Sequence, residues 1–159
     1  MPWRVLFLDI DGVLNCFGDE NEIGSTEETA HGTTFIGIDH RLRPVYTSIL
    51  ERVDPIVVLS SAWRTVPELC HHLRRSGIYF HDMTPVFDPN RYSRGHEIQD
   101  WLNACVQEPR YAILDDDDDM LPHQLPNFFR TSSRTGITKA VAAKVIAHLT
   151  MPISDVQRM

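Results

Sequence analysis

The sequence is poor in the features that mark a secreted, membrane-spanning or nucleic-acid-coating protein. Its three cysteines, Cys16, Cys70 and Cys105, are odd in number, far apart and outside any CxxC spacing. They read as reduced thiols of a cytoplasmic protein rather than as a disulfide frame. No long apolar run is present. The run Val5 to Leu8 is cut off by Asp9 and Asp11, too short for a signal-peptide core or a membrane span. Positive charge is not in excess either: the net charge is -7, which argues against broad binding to nucleic-acid backbone but not against one phosphorylated end entering a locally positive pocket. The eight histidines are scattered without a HExxH or paired spacing, so no zinc site is expected. There is no internal repeat, and the acidic run Asp115 to Asp119 is the one low-complexity segment.

What is present is an ordinary globular composition, 42% apolar over 159 residues, long enough for one domain with its own core. Three short continuous apolar runs read as buried parallel strands: Val5 to Leu8, Ile56 to Leu59 and Tyr111 to Leu114. Phe128 and Phe129 suggest a further short strand. Helical spacing fills the intervals. Leu42, Val45, Tyr46, Ile49 and Val53 predict an amphipathic helix over 41–53. Thr65 followed by Glu68 has the form of a capping box, with Gly77 as the stop after Leu69 and Leu73. Ile98, Trp101, Leu102 and Cys105 make another apolar stripe, and Thr138 can cap a last helix carrying Val141, Val145, Ile146 and Leu149. The alternation predicts an α/β fold: a mainly parallel sheet with helices on both faces, in one domain spanning 1–159. Residues 16–39, rich in Gly, Thr and acidic residues, read as a flap or small hairpin inserted after the first strand.

In open parallel sheets ligands bind beyond the carboxyl ends of the strands. All three runs end there in polar residues: Asp9-Ile10-Asp11-Gly12, Ser60-Ser61 and Asp115-Asp116. Each alone suits a turn, a helix cap or a solvated loop; three at equivalent ends form a pattern. Carboxylates converging from separate strands repel, at roughly 4 kcal/mol per pair for about 4 Å and an effective dielectric near 20. A divalent cation relieves that repulsion, and all-oxygen ligands suit Mg²⁺, which keeps positions for water and phosphate. Asp9 and Asp11, two apart in extended chain, project the same way. One can attack phosphorus while the other handles protons at the leaving group. Gly12 permits the tight turn that follows. Ser60 or its neighbour Ser61 can donate to the phosphoryl group, and Arg94 supplies a fixed positive charge. Asp115, Asp116 and Asp119 are the acidic candidates, the first two directly after the strand.

These residues resemble the haloacid dehalogenase (HAD) superfamily of phosphohydrolases, with four motifs in order. The run Val5-Leu6-Phe7-Leu8-Asp9-Ile10-Asp11-Gly12-Val13-Leu14-Asn15 is similar to the first motif, which implies Asp9 as nucleophile and Asp11 as acid and base. Val57-Val58-Leu59-Ser60 is similar to the second. Arg94 opens Arg94-Gly95-His96-Glu97-Ile98-Gln99-Asp100-Trp101-Leu102 where the family more often has Lys, and Ile113-Leu114-Asp115-Asp116 is similar to the fourth, Mg²⁺-holding motif. The implied metal set is Asp9, Asp11, Asp115 and Asp116. A closer resemblance is to compact HAD domains of nucleic-acid end repair, carried by Leu59-Ser60-Ser61-Ala62-Trp63-Arg64, by the Arg94 run, by Asp115 to Met120 and by Thr135-Gly136-Ile137-Thr138. It implies a nucleotide or polynucleotide phosphate end as substrate. The alternatives are an HAD phosphatase of a small-molecule phosphate and a non-catalytic HAD-like binding module. About twenty residues separate Arg94 from Asp115, room for one helix and a loop but no cap domain; no membrane and no obligate protein partner is implied.

Other residues divide between two readings. Trp63 and Arg64 can stack on a base and grip a phosphate, with Ser61 and Gly12 completing the substrate-binding set, or Trp63 can be core. Trp101 on its apolar stripe reads as core. His71, His72, Arg74 and Arg75 read as a solvated helix face, Asn15 as a turn residue or a support for the flap. A calcium loop fails at both acidic segments, because Leu14 and Met120 stand where such loops need Gly. A phospho-acceptor receiver domain would carry its acceptor on a middle strand, whereas here the paired carboxylates open the chain.

Overall fold

The structure is a computed structural model that describes residues 3–18 and 24–152; residues 19–23 of the expected flap lie outside that range. Five parallel strands form the main sheet: β1 (Arg4–Leu8), β4 (Ile56–Leu59), β5 (Asp82–Met83), β6 (Arg110–Asp115) and β7 (Phe128–Arg130). Their order is β5-β4-β1-β6-β7, so β1 lies at the centre with the chain crossing to either side of it. Val5 to Leu8 are fully buried, which is why β1 reads as a continuous apolar run rather than an alternation. Its side chains still alternate between two cores. Leu6 and Leu8 pack in one with Tyr46 and Ile49 of α1 (Arg43–Val53), Leu69 and Leu73 of α2 (Pro67–Arg75), and Val145 and Leu149 of α4 (Lys139–Thr150). Val5 and Phe7 pack in the other with Ile98 and Leu102 of α3 (Arg94–Asn103). Helices thus cover both faces, the α/β architecture that the element order predicted.

Register carries the fold to its chemistry. Leu8 pairs with Leu59 on one side and Leu114 on the other. The next residue of each strand, Asp9, Ser60 and Asp115, therefore stands at the same level of the carboxyl edge. Two backbone bonds hold that level: Asp9 N–H donates to Leu114 O at 3.0 Å, and Ser60 N–H to Leu8 O at 2.9 Å. With neighbours on opposite sides of β1, this edge is a topological switch point.

Over that edge lies an antiparallel hairpin, β2 (Glu27–Ala30) and β3 (Thr33–Ile36). His31 and Gly32 both have positive φ in its two-residue turn, the conformation whose twist matches paired strands. The segment expected as a flap contains this hairpin, and no large cap domain is present among the described residues. Nor is any helix there long and apolar enough to cross a membrane.

Several local expectations shift. The first helix begins at Arg43 rather than 41, with Pro44 in its first turn. Thr65 is not a helix cap. It ends a short 3-10 turn over Ala62–Thr65, its hydroxyl donates to Ala62 O at 2.8 Å, and α2 starts at Pro67 behind Val66 without a side-chain cap. Proline's fixed φ supplies the start. Gly77, at φ 79°, ends that helix as expected. Cys105 lies beyond α3, which stops at Asn103. Thr138 caps α4, accepting from Val141 N–H at 3.2 Å. Trp101 is only half-buried, its ring edge-on to Phe7 at 5.4 Å while its N–H donates to Asp82 at 2.8 Å. His72 leaves the solvated face: its Nε2 accepts from Ile38 N–H and lies 3.3 Å from Glu28 of the hairpin.

Candidate active site at the carboxyl edge of the sheet

The end of β1 delivers Asp9 into a buried position, and the end of β6 delivers Asp115 beside it. Asp116 joins them: one carboxylate oxygen from each of the three lies within 4.8 Å of the others. Gly12 makes the third approach possible. At φ 79°, a Cβ built there falls 2.1 Å from Asp116 Oδ2, so any side chain displaces that carboxylate. The turn is pinned from both sides, as Gly12 N–H donates to Asn15 Oδ1 and Gly12 O accepts from Thr131 Oγ1.

Arg94 faces this cluster. At the start of α3, it places Nη1 3.4 Å from Asp9 Oδ1 and 3.7 Å from Asp115 Oδ2, and the same group donates to Ser60 O. It does not neutralise three carboxylates. Burial pushes the Asp9 carboxyl up, against the lowering pull of Arg94. Burial, reinforced by the Asp9 charge, raises that of Asp115 as well. Asp115 Oδ2 and Ser60 Oγ are buried and accept or donate no hydrogen bond among the described residues. An all-oxygen cluster under strong mutual repulsion, with an orphaned carboxylate oxygen, has the chemistry that a hard divalent cation satisfies. Mg²⁺ therefore fits Asp9, Asp115 and Asp116.

The Asp11 side chain is not in that cluster. Its two oxygens are already held, Oδ1 by Asn15 Nδ2 at 2.9 Å and Oδ2 by Trp63 Nε1 at 3.1 Å. Both donors also touch the hairpin. Asn15 Nδ2 donates to Ile36 O at 2.9 Å, and Phe35 packs edge-on to Trp63 with centroids 5.6 Å apart. Asn15 is thus more than a turn residue, since it clamps Gly12, Asp11 and β3 together.

The expected substrate-binding pair is sealed inside the protein. Trp63 is 2% exposed and spends its N–H on Asp11, so no base can stack on it here. Arg64 has a 4% exposed side chain, and its guanidinium serves Ser60 O, Ser61 O, Thr84 O, Pro85 O and the Glu97 carboxylate at 2.9 Å. It tethers the loop after β5 rather than gripping a phosphate. Of the two serines, Ser61 is engaged as the cap of the 3-10 turn, accepting from Trp63 N–H at 3.1 Å; Ser60 keeps a free hydroxyl. Asp119 is likewise occupied, its carboxylate accepting from Arg94 N–H at 3.1 Å and its carbonyl from Gly95 N–H at 3.2 Å. One structural carboxylate was missed. Glu97, three residues after Arg94 on the same helix face, accepts from Phe87 N–H at 2.9 Å and bridges to Arg64; that spacing was its only signal.

Residues 5–142 match the family model for the HAD domain in Swiss Army Knife RNA repair proteins. The chain belongs to this HAD family. The match runs from β1 into α4, so it takes in every strand of the sheet and all the residues gathered at its carboxyl edge. No curated protein matches the chain. For a HAD domain the compactness is notable, because only the hairpin stands over the strand ends among the described residues.

Proposed function

We propose that this HAD domain is a Mg²⁺-dependent phosphomonoester hydrolase that acts on the phosphorylated end of a nucleotide or polynucleotide, through an aspartyl-phosphate on Asp9. The observation that carries the reading is the neighbourhood of Asp9. A buried carboxylate has two further carboxylates and one guanidinium converging on it, and Ser60, at the same level of the adjacent strand, keeps an unpartnered hydroxyl. The family's description, a domain of RNA repair proteins, supports a nucleic-acid end as the phosphate's carrier. The three free thiols support a cytoplasmic placement, and the chain acts as one catalytic domain with its hairpin at the mouth of the site.

In this reading Asp9 attacks phosphorus as its bond to the leaving oxygen breaks, and Asp11 passes a proton to that oxygen. Water then attacks the aspartyl-phosphate, giving its proton to Asp11 and releasing inorganic phosphate with Asp9 restored. Arg94 and the Ser60 hydroxyl meet the charge spread over the phosphoryl oxygens. When bound by Asp9, Asp115 and Asp116, Mg²⁺ supplies further positive charge for those oxygens. Asn15 and Trp63 fix the orientation of Asp11, so that proton transfer needs no search for geometry. A site roofed by a hairpin, with no large cap domain among the described residues, suits a phosphate attached to something large.

The test is phosphate release, with and without Mg²⁺, from an aryl phosphate, mononucleotides, sugar phosphates, and 3′- and 5′-phosphorylated oligonucleotides. The reading expects Mg²⁺-dependent release with oligonucleotide ends preferred. A folded protein that releases phosphate from none of them, or equally well without metal, contradicts it.

A further inference from the structure

Trp63 and Arg64 are unavailable to a substrate, yet an exposed ring and cation of the same kind stand on the loop that leads into α3. We propose that the cavity in front of Tyr92 and Arg91 is a subsite for the terminal nucleotide of a single-stranded end, its base stacked on Tyr92. This rests on the reading of the chain as a phosphatase of nucleotide or polynucleotide ends, and it names which ends.

The cavity has a volume of about 540 Å³ and is lined by Phe87, Asn90, Arg91, Tyr92, Arg94 and Asp119, among others. That is within the range of sites for small ligands, about 300–1,000 Å³. It borders the catalytic edge at Arg94, which lines the cavity and also reaches to 3.4 Å from Asp9. In the proposed pose, the nucleoside attached to a phosphate at Asp9 passes Arg94 into this space.

The ring is held in place. Tyr92 is 45% exposed, while its buried side leans on Phe87 and His96, with centroids 5.4 Å and 5.5 Å away. His96 is itself fixed, Nδ1 accepting from Ser93 N–H at 3.0 Å, and Phe87 is tied through its N–H to Glu97 on α3. The loop thus keeps a set distance from Arg94, and a base stacking there pays little to order the platform. Arg91, exposed beside it, offers a charge to the next phosphate along the strand. Glu97 and Asp119 also line the cavity and Arg94 is paired with carboxylates, so Arg91 is the charge left to meet a strand, and stacking rather than net potential carries the subsite.

Stacking on an aromatic ring tolerates any base, because every base has a π-face. A paired base already stacks on its neighbours and must be pulled free before it can use Tyr92. The subsite therefore favours unpaired or overhanging ends over blunt duplex ends, with little sequence preference.

The experiment compares kcat/KM, with Mg²⁺ present, for a phosphorylated single-stranded oligonucleotide, the same end in a blunt hairpin duplex, and an aryl phosphate. It uses the wild-type chain, Tyr92→Ala and Tyr92→Phe, with 3′ and 5′ phosphates in separate sets. Wild type is expected to prefer the single strand to the blunt duplex. Tyr92→Ala is expected to lower the ratio of single-strand to aryl-phosphate kcat/KM about tenfold, the loss of one stacked base, whereas Tyr92→Phe keeps the ring and most of the ratio. A ratio unchanged in Tyr92→Ala, or lowered as far in Tyr92→Phe, overturns the subsite. A wild-type enzyme that hydrolyses the aryl phosphate but no nucleotide-borne phosphate overturns the substrate reading beneath it instead.

Discussion

Replacing Asp115 with Asn should stabilise the metal-free protein and at the same time remove its response to Mg²⁺. Asp115 stands within 4.8 Å of two other carboxylates and 3.7 Å from Arg94. At an effective dielectric near 20, two repulsions of about 3.5 kcal/mol each against one attraction of about 4.5 set roughly 2.5 kcal/mol against the ionised carboxylate, a cost that the folded wild type escapes only by holding a proton and that Asn never meets. Asn keeps the Oδ1 acceptor that Asp117 N–H uses, so little else is lost. The pH dependence has a definite sign. The Asp115 carboxyl is pushed up to about 9 by burial and by the Asp9 charge. An acid raised on folding favours the folded state fully below its unfolded value near 4, and that contribution fades as pH rises towards 9. In EDTA, the melting temperature of Asp115→Asn should therefore exceed that of wild type by about 5–10 °C at pH 7, and the gap should close near pH 4. Added Mg²⁺ at about a hundred times its dissociation constant should raise the wild type by about 2.7 kcal/mol and leave the variant where it was. Thermal scans in EDTA and in Mg²⁺, at pH 4 and pH 7, read all of this. A variant less stable than wild type in EDTA, with the same gain from Mg²⁺, refutes the argument.

Trp63→Phe keeps the packing against Phe35 and removes the N–H that holds Asp11. It should slow hydrolysis of alkyl esters, including nucleotide ends, about tenfold, and an aryl phosphate less, since its leaving oxygen needs a proton less; equal losses on both would make the effect merely structural. Ser60→Ala should cost about a hundredfold or more in kcat. Ser61→Ala should instead lose about 1 kcal/mol of stability with its cap, and a reversal of these two outcomes in kinetic and melting measurements would exchange their roles.

Much of the framework was legible because β1, β4 and β6 are buried on both faces and so must be continuous apolar runs. Strand-end logic then brought Asp9, Ser60 and Asp115 to one edge, and the register puts them at one level. Other features leave no local trace. Nothing around Trp63 and Arg64 tells whether they face solvent, because the Arg64 N–H groups are satisfied by the carbonyls of Thr84 and Pro85, some twenty residues onward, and its charge by Glu97. Spacing gives Asp11 its direction but not its partners; the indole that holds it comes from the 3-10 turn that follows β4. Thr65 had the right cap chemistry in the wrong place, since Pro67 sets the helix start. β5 is two residues long, too short for any periodicity to register.

The central claim is that Asp9 carries the phosphoryl group. Acid quench of a single turnover with a labelled phosphorylated oligonucleotide and Mg²⁺, followed by peptide mapping, tests it most directly. Label trapped on the peptide containing Asp9, and absent from Asp9→Asn, is the predicted result. Turnover that proceeds with no label on Asp9, or that persists in Asp9→Asn, would contradict the account.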